Sequence, residues 1–354
     1  MAPTKIKLTA KTAVHNFARP YVIAELGANH NGDMKLAERM IKEAKKAGAD
    51  CVKFQSWSKD TIFSKKVYEE NHFLKDDYRQ RTDFSLEKIV EKFSISEGEL
   101  FRMKKIADAV GIDCISTPFS RREVDFLVEE MKAPFIKVAS MDVNNYPFLE
   151  YIAKKKKTIV ISNGLSELHE FDKAIRTIEN AGNKNIVILH CVAIYPPKDV
   201  DVNLRNIRTL QELYPYPVGF SDHTLGTSIP LASVAFGACV IEKHFTLDKS
   251  MFGWDHKISA DPEELAEICT ETKRVWEALG SSRIAVPENN ERKEAFRRSI
   301  VAAKDIKQGH VIREKDLDYK RPGTGLPPEA SDYILGKKAL RDIKYDEIIK
   351  FNDF

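Results

Sequence analysis

Short β-branched, apolar runs recur along this chain, each separated from the next by room for a helix. They are YVIAELG (21–27), CVKFQS (51–56), IDCISTP (112–118), PFIKVAS (134–140), TIVISNG (158–164), IVILHC (186–191), PVGFSD (217–222) and CVIEKHF (239–245). The segments between carry apolar residues at helical spacing, among them MKLAERMIKEAKKAG, ELFRMKKIADAVG, REVDFLVEEMK and ELHEFDKAIRTIENAG. Several close on a glycine, the expected helix stop. Such alternation predicts an α/β fold with a parallel sheet. Eight units over roughly 250 residues match a closed (β/α)8 barrel better than an open doubly wound sheet. No GxGxxG follows the first run, which lowers the dinucleotide-binding alternative.

The barrel accounts for residues 1–280. A charged, aromatic insertion at 57–95 follows the second run, where barrels often cover a site. Residues 281–296, SSRIAVPENNERKEAF, read as a linker. Residues 297–354 form a second unit with a faint internal repeat, KDIKQGHVI (304–312) and RDIKYDEII (341–349). The repeat predicts a small β domain of two related hairpins, too short for a large core and leaning on the barrel or a partner chain.

Composition closes off other classes. Apolar residues at 43% suffice for a core. The net charge of +3 is dispersed, which argues against a nucleic-acid partner. The Lys154–Lys157 run reads as a solvated helix end. No apolar stretch nears the roughly 20 residues a membrane span needs, and MAPTKIKLTAKTAVHNF lacks a signal-peptide apolar core. The cysteines (Cys51, Cys114, Cys191, Cys239 and Cys269) form no CxxC pair and read as buried reduced thiols of a cytoplasmic protein.

Barrel enzymes hold their chemistry at the C-terminal ends of the strands. Polar residues late in the runs are Glu25; Lys53 and Gln55; Thr117; Lys137 and Ser140; Ser162 and Asn163; Ser221 and His223; Glu242 and His244. Residues two apart share a face of a strand. The last two strands are neighbours in a barrel, so His223 and His244 converge, and two imidazoles with room for oxygen ligands suit a divalent ion such as Mn²⁺. Lys53 and Lys137 sit in apolar strands, where a lone ammonium is costly, so anions are expected beside them. One source is Glu25 or Glu242. Another is a substrate phosphate or carboxylate, which the neighbouring hydroxyls also suit.

These residues, in this order, resemble the sialic acid synthase family. AELGANHNG (24–32), VKFQ (52–55), FIKVAS (135–140), GFSDHTLG (219–226) and IEKHF (241–245) are similar to its barrel motifs, and YKRPGTG (319–325) to the arginine motif of its C-terminal antifreeze-like (SAF) domain. The resemblance implies metal-dependent condensation of phosphoenolpyruvate with an open-chain N-acetylmannosamine-type sugar, giving a nine-carbon 2-keto acid and phosphate. It implies that His223 and His244 hold the metal (Mn²⁺, with Mg²⁺ or Co²⁺ as alternatives). Lys53, Thr117, Lys137, Ser140, Ser162 and Ser221 would hold phosphoenolpyruvate. Gln55, Tyr195, Glu242 and Asp255 would contact the sugar, and Glu25 would act as acid/base. It further implies a domain-swapped homodimer whose Arg321 reaches the partner's acceptor. Ala193, Trp254 and the KSMF stretch (249–252) depart from the family pattern near the acceptor end.

Three alternatives stand beside this reading. One is a Schiff-base aldolase using Lys137, one a synthase of eight- or seven-carbon keto acid phosphates, and one a non-catalytic binding protein whose C-terminal unit does the work. The first leaves the histidine pair unexplained, the second the C-terminal unit, and the third the polar strand ends.

Overall fold

The computed structural model describes residues 4–71 and 85–354. The chain divides into two compact units, Met1–Gly280 and Ser281–Phe354.

Eight parallel strands form the first: Tyr21–Gly27 (β1), Cys51–Gln55 (β2), Asp113–Thr117 (β3), Phe135–Val138 (β4), Thr158–Ser162 (β5), Ile186–Cys191 (β6), Val218–Asp222 (β7) and Val240–His244 (β8). Each falls within the run that predicted it. They hydrogen-bond in the order β3-β2-β1-β8-β7-β6-β5-β4. The end strands β3 and β4 also lie against each other, so the sheet curls into a near-closed barrel. Strands in this position are covered on both faces, which explains their unbroken apolar character. Every residue of β1 is buried.

A helix follows each strand: Met34–Ala47 (α1), Glu97–Val110 (α2), Arg121–Asp125 (α3, continuing as a π-turn through Glu130), Tyr146–Lys154 (α4), Leu168–Asn180 (α5), Asn206–Leu213 (α6), Ser228–Ala235 (α7) and Pro262–Leu279 (α8). Their ends are set locally. Asp33 accepts from the amides of Lys35 and Leu36 at the start of α1, a cap worth about 1 kcal/mol. Gly48, at φ 95°, ends the helix in a left-handed turn that a side chain would strain. Leu36, Met40, Ile41 and Ala44 turn one face of α1 onto the sheet. At the run of lysines, α4 ends on Lys154, and Lys155 pairs with Asp125 and Glu129.

The insertion at 57–95 is described at its flanks, which form the short helices Lys59–Ile62, Lys65–Glu70 and Leu86–Phe93. Its centre, 72–84, lies outside the described residues. Trp57, Leu86, Ile89, Val90 and Phe93 bury themselves together with Phe252 and Trp254, which belong to the loop after β8.

The second unit departs from expectation in three ways. The segment 281–296 is not all linker: Asn290–Phe296 is helical because Asn289 caps it, accepting from the amide of Arg292. The unit has its own aliphatic core, with Ile300, Ile306, Ile312, Ile334, Ile343 and Ile349 buried in it. It contains one ladder hairpin, Ser299–Ala302 (β9) with Leu317–Lys320 (β10), rather than two. The two repeats pair with each other, through reciprocal bonds between Ile306 and Ile343. The exchange extends outward. Asp342 accepts from the amide of Gln308, and Asp305 from that of Tyr345. Asp316 and Asp353 are each buried, and they accept from the amides of Arg313 and Lys350. The halves are related by an approximate two-fold exchange.

Five cysteines carry no disulfide; four are buried as expected, whereas Cys269, on α8, is only half-buried. Among the described residues, no helix is long and apolar enough to cross a membrane.

Candidate active site

The strand ends enclose a cavity of about 180 Å³ at the C-terminal face of the barrel. Glu25, Lys53, Gln55, Thr117, Lys137, Ser140, Ser162, Tyr195, Ser221, His223, Glu242 and His244 all line it. Thus every barrel residue given a role from the sequence, Asp255 excepted, converges here, whereas Asn163 does not line the cavity. A larger opening of about 620 Å³ beside Lys59, Phe63 and Tyr68 carries exposed charges, not buried convergent ones.

One side of the cavity is an ion network. Lys53 Nζ lies 2.7 Å from Glu25 Oε2 and 3.7 Å from Glu242 Oε2, and it donates to Thr117 Oγ1 at 3.1 Å. Lys137 Nζ donates to Ser162 Oγ at 2.7 Å and to Val138 O at 2.9 Å, and stands 3.9 Å from Glu242 Oε1. Ser221 Oγ donates to Glu242 Oε1 at 3.0 Å. All four charged side chains are buried, so removing any one leaves its partners unbalanced in a low dielectric.

Burial pushes the Glu25 carboxyl up to about 7, with Lys53 pulling the other way and Glu242 adding to the rise. Burial acts on Glu242 too, yet Lys137 and Lys53 hold it below the usual range. Burial lowers Lys137, which Glu242 only partly offsets. Lys53 is raised, because its two carboxylates outweigh burial. Two carboxyls with diverging protonation suit an acid/base pair.

The opposite side carries the histidines. His223 follows β7 directly, His244 ends β8, and their ring centroids are 5.4 Å apart. His223 Nδ1 donates to Val192 O at 2.8 Å; burial lowers this imidazole, but Cys191 and that carbonyl outweigh it and hold it above the usual range, so Nε2 offers its lone pair once the ring is neutral. Burial and the neighbouring His223 keep His244 well below the usual imidazole range and therefore neutral. Neutral imidazoles with a free nitrogen are the form that binds metal. Among the described residues no group of three or more His, Cys, Asp or Glu is arranged as a metal site, so the pair supplies two donors.

Asp255 stands 3.7 Å from His244 Nδ1 through Oδ2. Arg321 belongs to the second unit, where its guanidinium stacks on Phe296 at 5.1 Å. Ala193 lines the cavity, and Trp254 packs on Trp57, ring centroids 5.6 Å apart.

Several contacts escaped the sequence reading. Cys191 and Phe119 line the cavity. Asn163 Oδ1 accepts from the amide of Cys191 at 2.9 Å and so ties β5 to β6 beside it. The ANHN stretch after β1 is a clamp. Asn29 Nδ2 donates to Phe245 O and Ser259 Oγ, each at 2.9 Å, and Asn31 Nδ2 to Phe252 O at 2.7 Å. These bonds fix the loop that carries Trp254 and Asp255. Spacing could not show this, since the partners lie at opposite ends of the barrel sequence.

Residues 40–284 match the model of the NeuB family and residues 297–354 that of the SAF domain. This chain belongs to the NeuB family. Among curated NeuB relatives, the N,N'-diacetyllegionaminic acid synthase of Campylobacter jejuni is 39% identical, over 93% of this chain and 98% of its own. The human N-acetylneuraminate-9-phosphate synthase is 36% identical, over 93% and 91%. Among solved structures, the N-acetylneuraminic acid synthetase of Leptospira borgpetersenii in complex with citrate superposes with a TM-score of 0.72 at 33% identity, covering 82% of this chain and 95% of its own. The NeuB chain described here is an enzyme of that synthase type, a transferase of nonulosonic acid biosynthesis.

Proposed function

We propose that this enzyme condenses phosphoenolpyruvate with an open-chain, N-acylated mannosamine-type sugar to give a nine-carbon 2-keto acid and inorganic phosphate. The observation that carries the reading is the two-sided cavity: Lys53 and Lys137 with four hydroxyls on one wall, and a histidine pair on the other. The cations and hydroxyls suit the phosphate and carboxylate of phosphoenolpyruvate.

Water is the one further reactant, and its two protons end on the new hydroxyl and on the released phosphate. C3 of phosphoenolpyruvate bonds to the aldehyde carbon, and the aldehyde oxygen gains a proton and becomes a hydroxyl. Water adds at C2, and the resulting tetrahedral carbon expels phosphate as the ketone forms. Glu25, with its carboxyl near 7, takes the proton of that water. Lys53, Lys137 and the hydroxyls stabilise charge on the departing phosphate. His223 and His244 would hold a divalent ion, Mn²⁺ first, with Mg²⁺ or Co²⁺ as alternatives; when bound, it supplies Lewis-acid polarisation of the aldehyde.

The acceptor we favour carries no phosphate. Among the described lining residues the cations are Lys53 and Lys137, both already paired with carboxylates, and the adjoining wall is Phe119 and Tyr195. A sugar phosphate would meet little compensating charge there.

We further propose a cytoplasmic homodimer in which the SAF unit of one copy covers the other's cavity and Arg321 reaches the acceptor. Large apolar side chains stand exposed on four successive loops after the strands, Met141, Leu165, Ile194 and Leu225, which supports a covering partner. Mixing Arg321→Ala with Glu25→Ala chains should then restore part of the activity; hybrids that form yet stay inactive would argue against it.

The deciding experiment measures phosphate release from phosphoenolpyruvate, with and without EDTA. The acceptors are N-acetylmannosamine, its 6-phosphate, and 2,4-diacetamido-2,4,6-trideoxy sugars of manno and altro configuration. Release that EDTA abolishes, with an unphosphorylated acceptor, is expected. Binding of neither phosphoenolpyruvate nor metal would overturn the reading.

A further inference from the structure

Trp57 lies just past the end of β2 and is almost fully buried. Its indole Nε1 donates to Gln55 Oε1 at 2.8 Å, and Gln55 Nε2 donates to Glu25 Oε1 at 2.8 Å. An indole N–H donates and cannot accept. The oxygen of the Gln55 amide must therefore face Trp57, and its NH2 must face Glu25 and the cavity. Glu25 selects the NH2 end only as a carboxylate, since a protonated carboxyl can donate to the amide oxygen, whereas the indole N–H selects the oxygen end in either state. The indole is itself held by packing, with Trp254 at 5.6 Å between ring centroids and Phe93 closing on Trp254 at 5.9 Å.

We propose that Trp57 is a positioning residue for the synthase reaction: through the indole N–H it fixes the amide of Gln55, so that an N–H, not an oxygen, is presented to Glu25 and to the acceptor. The inference rests on the function proposed above. It deepens that reading by making the acceptor end depend on a residue that touches no substrate. Trp254, which departs from the family pattern, then bears on the acceptor end indirectly, as the wall that seats Trp57.

The test is a double-substitution cycle, read with phosphoenolpyruvate and the accepted sugar. Trp57→Phe keeps the packing and removes the N–H. It should lower kcat/KM for the sugar about three- to tenfold, the scale of one hydrogen bond, and leave the KM for phosphoenolpyruvate unchanged. In a Gln55→Ala background the same substitution should have no further effect. A loss of equal size in that background would mean that Trp57 acts through packing alone and would overturn the proposal, as would an unchanged sugar kcat/KM in Trp57→Phe.

A second readout needs neither turnover nor a folded Trp57→Phe chain. The sequence has three tryptophans, so indole-15N labelling of the full chain gives three signals at most. Gln55→Ala should shift the Trp57 signal and speed its hydrogen exchange while the Trp276 signal stays in place. An unmoved Trp57 signal would show that the bond is absent in solution. This arm stands even if no acceptor in the panel supports phosphate release, so failure of the proposed reaction and failure of the Trp57 assignment give different results.

Discussion

Asp222 and Lys243 form an ion pair 2.7 Å apart behind the histidines, with side chains 0% and 1% exposed. Asp222 lies between Ser221 and His223, and Lys243 between Glu242 and His244. Successive strand residues face opposite ways, so the two that line the cavity alternate with one that does not. Asp222 also accepts from the amide and hydroxyl of Thr224, and Lys243 donates to Thr224 O. The pair thus ties β7, β8 and the turn after His223 together at the level of the histidines. Asp222→Asn should destabilise the barrel by about 3–5 kcal/mol, because it strands a buried ammonium. Asp222→Leu with Lys243→Met should cost clearly less. Urea unfolding of the two variants beside the unsubstituted chain checks the order.

The raised carboxyl of Glu25 predicts the pH dependence. The group holds its proton up to about 7, so the carboxylate that accepts a proton from water accumulates only as pH rises through that value. Phosphate release should climb along a limb near pH 7, and Glu25→Gln should remove the limb and lower kcat about 100-fold or more. Stability moves the opposite way. Between the unfolded value of 4.5 and about 7 the folded state holds a proton that the unfolded state has released. On this group's account stability therefore falls as pH rises across that window, and Glu25→Gln should flatten the decline.

Lys137 separates the synthase from a Schiff-base aldolase. Its ammonium is engaged by Ser162, by Val138 O and, more distantly, by Glu242. Borohydride added with a 2-keto acid should trap no adduct on Lys137. Lys137→Met should raise the KM for phosphoenolpyruvate about tenfold or more, the scale of one charge-assisted hydrogen bond. A reduced adduct found by mass spectrometry would favour the aldolase.

Gly164 is a packing constraint on the phosphate side. A methyl group there would meet Ser140 Oγ at 2.7 Å and Cys191 Sγ at 3.2 Å. Gly164→Ala should push Ser140 aside and raise the KM for phosphoenolpyruvate about tenfold, the effect of losing one well-placed contact, while the melting temperature moves little. Steady-state kinetics alongside a thermal melt checks the split.

In the second unit, Asp316 is fully buried and lies 2.7 Å from both Lys304 Nζ and His310 Nε2. Burial alone would raise its carboxyl, yet these partners hold it at about 2. Its contribution to stability is present above the unfolded value of 3.8 and is lost as pH falls through about 2. Asp316→Asn should lower the melting temperature of this unit at pH 7, with a smaller difference from the unsubstituted chain at pH 2. Limited proteolysis across that range reports it.

The barrel and most of its site were legible because both follow from a period of two. An apolar run with Lys53 and Gln55 two apart, or Ser221 and His223 two apart, shows at once a strand and the polar end of one face. Trp57 was not legible, because it lies beyond the strand in a stretch without regular spacing, where an aromatic reads as packing. The contacts of Asn29 and Asn31 were not legible, since their partners Phe245 and Phe252 are brought near only by closure of the barrel. Asp222 and Lys243 were visible as letters, but their pairing depends on which strands neighbour each other on the outer face. The repeat in the second unit was seen and its pairing mistaken. Similarity between two segments does not say whether each folds on itself or on the other.

Because the repeats cap each other's turns and share the bonds between Ile306 and Ile343, neither half is a folding unit. The second unit is in effect a tethered dimer of half-modules, and the loop joining them sets their effective concentration. Cleavage within that loop would leave two fragments that hold together only above a threshold concentration. Joining the original ends and opening the loop would give a permuted chain with the same core.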